Sequence, residues 1–161
     1  MTIRLFKQAD FQAINNIYNV SKLDELQLEN TSFELLSLEQ DQQRYAELME
    51  SDIYVYEHVY EQAYGQVNKE PTVLGYGALF GTEIRALFVL PQARRKSIGK
   101  TLLEFLLTKI DGTASLYVAR SNTPAKTLYA TYDFNVVEEF TTTYNTVPVV
   151  ANKMLRQLDE Q

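Results

Sequence analysis

The sequence predicts an α/β fold, a mixed α+β sheet with helices on its faces, and three observations lead there. Runs of β-branched and aromatic residues alternate with amphipathic stripes at helical spacing. Their order reads β-α-α-β-β-β-α-β-α-β-β, a strand cluster followed by a β-α-β-α-β passage. The chain is 161 residues long, 45% hydrophobic and 22% charged, which fits one globular domain over 1–161.

The elements follow in chain order. "TIRLF" at the start reads as a short strand. Asp10 is placed as an N-cap, and Phe11, Ile14, Ile17, Tyr18 and Ser21 mark a helix over 11–21. Residues 22–36 read as an acidic, irregular connector. "SLEQ" at 37–40 has the spacing of a capping box, so a second helix runs from there to Met49 with Tyr45, Leu48 and Met49 inward. Strands are expected at 53–60, 73–80 and 83–90, with a loop over 65–72 and only Gly81 and Thr82 between the last two strands. Pro91 ends the third. Ile98, Leu102, Phe105, Leu106 and Ile110 form a helical stripe. A strand at 115–119, a helix at 123–132 with Pro124 in its first turn, and two closing strands complete the chain.

Composition excludes several chemistries. There is no cysteine, hence no disulfide, thiolate nucleophile or cysteine acyl-enzyme, and the single histidine, His58, excludes a histidine-rich metal site. No window approaches the roughly 18 apolar residues of a membrane span, and residues 1–10 lack the apolar core of a signal peptide. The expectation is a soluble, cytoplasmic protein with no membrane partner. A net charge of −6 argues against nucleic acid as a partner.

That charge is unevenly spread. Residues 1–80 hold 5 bases and 13 acids, and residues 81–161 hold 10 and 8. Between Ile84 and Leu103 lie Arg85, Arg94, Arg95, Lys96 and Lys100 and no acid. Two readings are open, local scatter or one anion site. Here "RALFVLPQARRKSIGKTLLEFL" runs from a strand through a basic turn into a helix. The first amides of a helix lack internal acceptors and the dipole is positive there, so such a turn can seat a phosphate. Neither GxxxxGK[ST] nor GxGxxG is present, and an ordinary strand–helix turn is the other reading.

The segment Arg94-Arg95-Lys96-Ser97-Ile98-Gly99 resembles motif A of the GNAT superfamily of acyl-CoA-dependent N-acetyltransferases, [QR]-x-x-G-x-[GA] at a helix start, with Ser97 in place of the first glycine. With φ below zero Ser97 would fit and could cap the helix; with φ above zero it is strained. Downstream, "NTPAKTLYATYDF" is similar to the family's N-x-x-A-x-x-x-Y-x-x-x-G-F motif through Asn122, Ala125, Tyr129 and Phe134, with Asp133 replacing glycine. The element order fits the GNAT fold from end to end.

The resemblance implies acetyl transfer from acetyl-CoA to a primary amine, on a small cationic amine or a protein amine, with no metal. It implies coenzyme binding by the amides of the turn, Arg94, Arg95, Lys96, Ser97, Ile98, Gly99 and Lys100. The backbone of Leu87, Phe88 and Val89 would pair with the pantetheine arm, with Phe88 and Val89 polarising the thioester carbonyl. Asn122 would bond the same arm or cap its helix, two compatible roles. Lys96, Lys100 and Lys126 would meet the 3′-phosphate. Tyr129 is the implied general acid for the leaving thiolate, and Glu83, eleven residues before Arg94, the implied base. His58 lies in a row with Tyr54, Tyr56 and Tyr60 and reads as structural, the row being core with its end toward an acceptor pocket. The acidic first half favours a cationic acceptor. A homodimer through the C-terminal strands is implied by the resemblance, and a non-catalytic acyl-CoA sensor is the alternative function.

Overall fold

The computed structural model describes residues 2–58 and 71–158. Seven strands form one sheet: β1 (Thr2–Leu5), β2 (Asp52–His58), β3 (Thr72–Phe80), β4 (Glu83–Val89), β5 (Ala114–Ala119), β6 (Asn135–Tyr144) and β7 (Val147–Arg156), in the order β1-β2-β3-β4-β5-β7-β6. Every neighbouring pair is antiparallel except β4 and β5. Among the described residues the α-helices are α1 (Phe11–Leu26), α2 (Gln42–Met49), α3 (Ile98–Thr108) and α4 (Thr123–Ala130). The expected order of strands and helices is present. The last two positions of the predicted 53–60 strand and most of the predicted 65–72 loop lie outside the described residues.

The apolar stripes read in the sequence become the core. Ile14, Ile17 and Tyr18 of α1 pack with Val55, Tyr76, Ala78 and Ala86 of the sheet. Leu103 and Leu106 of α3 pack on its other face with Ile84, Ala114, Leu116, Tyr129, Phe134 and Met154. Helix α3 lies very close to β3: a Cβ on Gly77 would stand 2.7 Å from Leu106 Cδ1, so glycine there sets the helix–sheet distance.

Strand β4 carries a bulge that matters for the site. Ala78 opposes Ala86 but Leu79 opposes Ile84, so Arg85 is the extra residue. The bulge reverses the alternation. Ala86 and Phe88 face α1, Ile84 faces α3, and Glu83 and Arg85 face the α1–α2 side, where Arg85 donates to Glu47 O and Glu50 Oε1.

Several local expectations are corrected. Asp10 does not cap α1. Its carboxylate accepts two bonds from Arg4 at 2.8 and 2.9 Å and one from the Lys7 amide at 2.7 Å. A guanidinium offers more than the fourth helical amide, so the side chain turns away from the helix. Helix α1 continues five residues past the predicted end, through Leu26. The Ser37–Gln40 capping box forms reciprocally at 3.1 and 3.3 Å, but it closes only a turn. Asp41 then caps α2 by accepting from the Arg44 amide. Tyr45 is exposed rather than inward, its ring edge-on to Phe11 at 5.7 Å.

The Arg4 contacts hold the Asp10 carboxyl below its usual range, despite burial. A depressed folded pKa stabilises above the unfolded value of about 3.9 and is lost as pH falls through the folded one. Asp10→Asn is therefore expected to cost about 1–3 kcal/mol at neutral pH. The difference should shrink in denaturant titrations run at progressively lower pH, below about 3.9.

Candidate active site

Strands β4 and β5 are parallel and pair only at Glu83–Ser115 and Ile84–Leu116. Beyond those pairs they part, although β4 runs on to Val89 and β5 to Ala119. The Leu90 amide donates to Leu74 O at 2.9 Å, which fixes the antiparallel ladder on the β3 side. By the alternation of that ladder, Phe88 turns its amide and carbonyl toward Tyr76 of β3. Leu87 and Val89 turn theirs into the gap left by β5. This corrects the expectation for Phe88, whose backbone is used by the sheet. Its ring instead lies edge-on to Tyr18 at 5.7 Å, on the α1 face.

The mouth of this gap is the basic turn. Arg95 has φ 63° and Ser97 φ 61°, both left-handed. Among the described residues, no amide of residues 95–100 donates to a backbone acceptor. Alternating left-handed residues ahead of a helix start gather such amides into an anion-binding concavity. Ser97 therefore takes the strained branch of its two readings. It does not cap α3 with its side chain; its carbonyl accepts from the Thr101 amide and hydroxyl at 2.9 and 2.8 Å. Ser97→Gly removes a left-handed non-glycine residue and should raise stability by about 1 kcal/mol, read as a higher denaturation midpoint.

Gly99 adjoins this concavity, and the protein itself does not require glycine there. Its φ is not left-handed, and an added Cβ would touch Val89 Cγ2 at 3.7 Å and Leu128 Cδ2 at 3.8 Å, ordinary contacts. Arg94 is tied to Asp24 of α1 at 2.6 Å, which fastens the turn to that helix. Arg95, Lys96 and Lys100 are exposed around it. Asn122 caps α4, accepting from the Ala125 amide at 3.3 Å. Lys126 reaches back to Arg120 O at 3.4 Å.

Two groups of opposite character flank the gap. From α4, Tyr129 is buried among Phe134 and the α3 core. Burial first, and the charge of Glu25 second, push its phenol well above the ordinary 10.0, so it stays protonated. From the α1 side comes a cluster that the sequence reading did not single out. Ser21 donates to Val89 O at 3.4 Å, placing α1 on the rim of the gap. The next residue, Lys22, bonds Glu25 at 3.2 Å and lies 5.2 Å from the centre of the Tyr144 ring. Arg44 of α2 lies 5.6 Å from the same ring and pairs with Asp41 at 3.2 Å. The Glu25 charge reaches Tyr18, Tyr76, Tyr129 and Tyr144, so it stands near the centre of the cluster.

Glu83 sits where β4 and β5 begin to part, on the α1–α2 face, partly exposed and 3.7 Å from Arg85 Nε. The aromatic row of β2 does not reach the gap, because β3 stands between. Tyr56 is buried core, Tyr54 packs on Phe105 at 5.0 Å, and Tyr60 lies outside the described residues. Several acids of the first half are paired: Asp10 and Glu57 with Arg4, Asp24 with Arg94, Glu50 with Arg85. These are spent within the fold. A cleft of about 720 Å³ is lined by Arg4, by Asp10, Ala13 and Asn16 toward the N-terminal part of α1, and by Leu90. No group of metal-ligating side chains and no helix long and apolar enough to cross a membrane occurs among the described residues.

Comparison with known families decides what this frame is. A model of the acetyltransferase (GNAT) domain matches residues 49–136. The chain belongs to the GNAT acetyltransferase family. No curated protein sequence matches it. Solved structures resemble it along nearly their whole length, at identities that speak for the fold. A GCN5-related N-acetyltransferase from Rhodopseudomonas palustris is 16% identical, with 98% of this chain and 95% of that one covered and a TM-score of 0.73. A phosphinothricin acetyltransferase from Sinorhizobium meliloti in complex with acetyl-CoA is 19% identical, with 98% and 88% covered and a TM-score of 0.67. The yncA protein of Salmonella typhimurium, with its cofactor acetyl-CoA, is 19% identical, with 99% and 95% covered and a TM-score of 0.66. Ser97 (φ 61°) and Asp133 (φ 66°) stand left-handed at the two positions where the motifs they resemble carry glycine.

Proposed function

We propose that this GNAT protein transfers the acetyl group of acetyl-CoA directly to a primary amine. The observation that carries this reading is the β4–β5 gap itself. It leaves the backbone groups of Leu87 and Val89 without a sheet partner, at the side of a turn whose amides lack acceptors. Those groups fit the two amide-bearing and phosphate-bearing parts of the coenzyme. Acetyl-CoA supplies the activated thioester.

In this reading the amides of 95–100 hold the pyrophosphate. Arg95, Lys96, Lys100 and Lys126 supply positive charge near the 3′-phosphate, and Arg94 positions the turn through Asp24. The Val89 amide, aimed into the gap, polarises the thioester carbonyl. Tyr129, kept neutral by burial, gives its proton to the departing sulfur. Glu83, on the acceptor face, takes the proton of the amine directly or through water. A second reading gives that step to Glu25 of α1, the helix whose Ser21 donates to Val89 O at the rim of the gap. The cytoplasm, where acetyl-CoA is made available, is the proposed location.

Calorimetric titration with acetyl-CoA tests binding, and thiol release across an amine panel tests turnover. Binding with turnover is expected. Binding without turnover of any amine would leave only the sensor reading. The pH–rate profile assigns the base: the variant, Glu83→Gln or Glu25→Gln, that loses the acidic limb of kcat/KM identifies it.

A further inference from the structure

We propose that the acceptor is a small α-amino acid, an amine that also carries a carboxylate, held by one face of α1. This rests on the acetyl-transfer reading above and goes beyond it by naming the substrate class. Asn15, Tyr18, Lys22 and Glu25 follow one another at spacings of three, four and three, so they share a face of the helix. Two buried side-chain atoms without a hydrogen-bond partner among the described residues belong to this face, Asn15 Oδ1 and the Tyr18 phenol. Tyr18 is only 4% exposed. A buried hydroxyl without a partner is costly, and two orphans one turn apart mark a place built to receive a polar group.

The charges around those orphans come in both signs. Lys22 is partly buried, and that desolvation lowers its pKa; it spends one donor on Glu25 and has two left. Arg44 stands across the Tyr144 ring from it, with Asp41 as its partner. A polyamine placed here would bring like charge against two cations. A molecule with an ammonium and a carboxylate matches both: its carboxylate goes to Lys22 and Arg44, its ammonium to Glu25 and the Tyr18 oxygen. The orientation follows from the same groups. Glu25 lies on α1, the helix whose Ser21 reaches Val89 O at the gap, whereas Arg44 lies on α2 against the Tyr144 ring. The amine therefore points to the thioester side and the carboxylate away from it. Beside Tyr144, Phe33 helps line a cavity of about 180 Å³ with Leu23, Leu26 and Leu35, room for a compact apolar side chain.

The test is binding in a dead-end complex, which needs no turnover. The protein saturated with coenzyme A is titrated by calorimetry with each of the twenty common L-α-amino acids and with their α-amides. At least one amino acid should bind, and its amide should bind at least about tenfold more weakly, the value of one charge-assisted bond. Lys22→Met, which keeps the length and packing of the side chain, and Arg44→Gln, on the partly exposed helix α2, should each remove that discrimination while leaving coenzyme A affinity unchanged. If no amino acid binds, or if acid and amide bind alike, or if both variants still discriminate, the proposal is wrong. An amino acid that binds as expected but is never acetylated upholds the site and overturns only the transfer reading.

Discussion

Tyr129→Phe is expected to lower kcat by about 10²-fold or more, the low end of what a positioned general acid contributes. The substitution deletes one oxygen. Phenylalanine keeps the ring against Phe134, 5.9 Å away, and keeps the packing of α4 on the α3 core. Stability and the KM for acetyl-CoA should therefore stay near wild type, so the loss would lie in the chemical step. The protonation argument makes a second demand. Burial holds the Tyr129 phenol above its ordinary pKa of 10.0. Wild-type kcat should then show no basic limb from this residue below about pH 10. A Tyr129→Phe enzyme with wild-type turnover would take the residue out of the mechanism.

How much of this was legible in the sequence differs between the two sides of the gap. The coenzyme side was readable because its parts are consecutive. Strand, basic turn and helix stripe lie within residues 83–106, and one periodicity change marks the turn. Its finer geometry was not readable. Which of Leu87, Phe88 and Val89 faces the gap depends on ladder phase, and the bulge at Arg85 that aims Glu83 leaves no local signature. The proposed acceptor side comes from four separate stretches: α1, the 36–41 turn, α2 and the tip of the β6–β7 hairpin, where Asn145 and Thr146 are both left-handed. Its helical stripe was cut at Ser21, because the apolar spacing lapses there. Polar Lys22 and Glu25 continue α1 by facing the site rather than the core. The acidic excess could not be placed for a related reason. Charge counts carry no information on pairing, and Asp24 and Glu50 find their bases in Arg94 and Arg85, seventy and thirty-five residues away.

Gly99→Glu separates the demands of the fold from those of the site. At Gly99 the backbone is not left-handed, and a Cβ would meet only ordinary contacts from Val89 and Leu128. Glycine in a helix is about 0.8–1.0 kcal/mol worse than alanine, and a carboxylate in the first turn interacts favourably with the helix dipole. On stability alone the variant should equal or exceed wild type. The amides of 95–100 tell the opposite story for binding. A pyrophosphate seated there would lie against the new carboxylate, and the side chain would occupy the mouth of the gap between α3 and α4. Losing two charge-assisted hydrogen bonds, at about 1.5–3 kcal/mol each, corresponds to roughly 10²-fold or more in Kd for acetyl-CoA. Raising salt should restore part of the affinity, since partly exposed charges are screened. A thermal midpoint at or above wild type together with a Kd weakened by that factor is the expected pair of results. If acetyl-CoA binds Gly99→Glu as tightly as wild type, the turn is not the pyrophosphate site, whatever the family pattern of the residues around it.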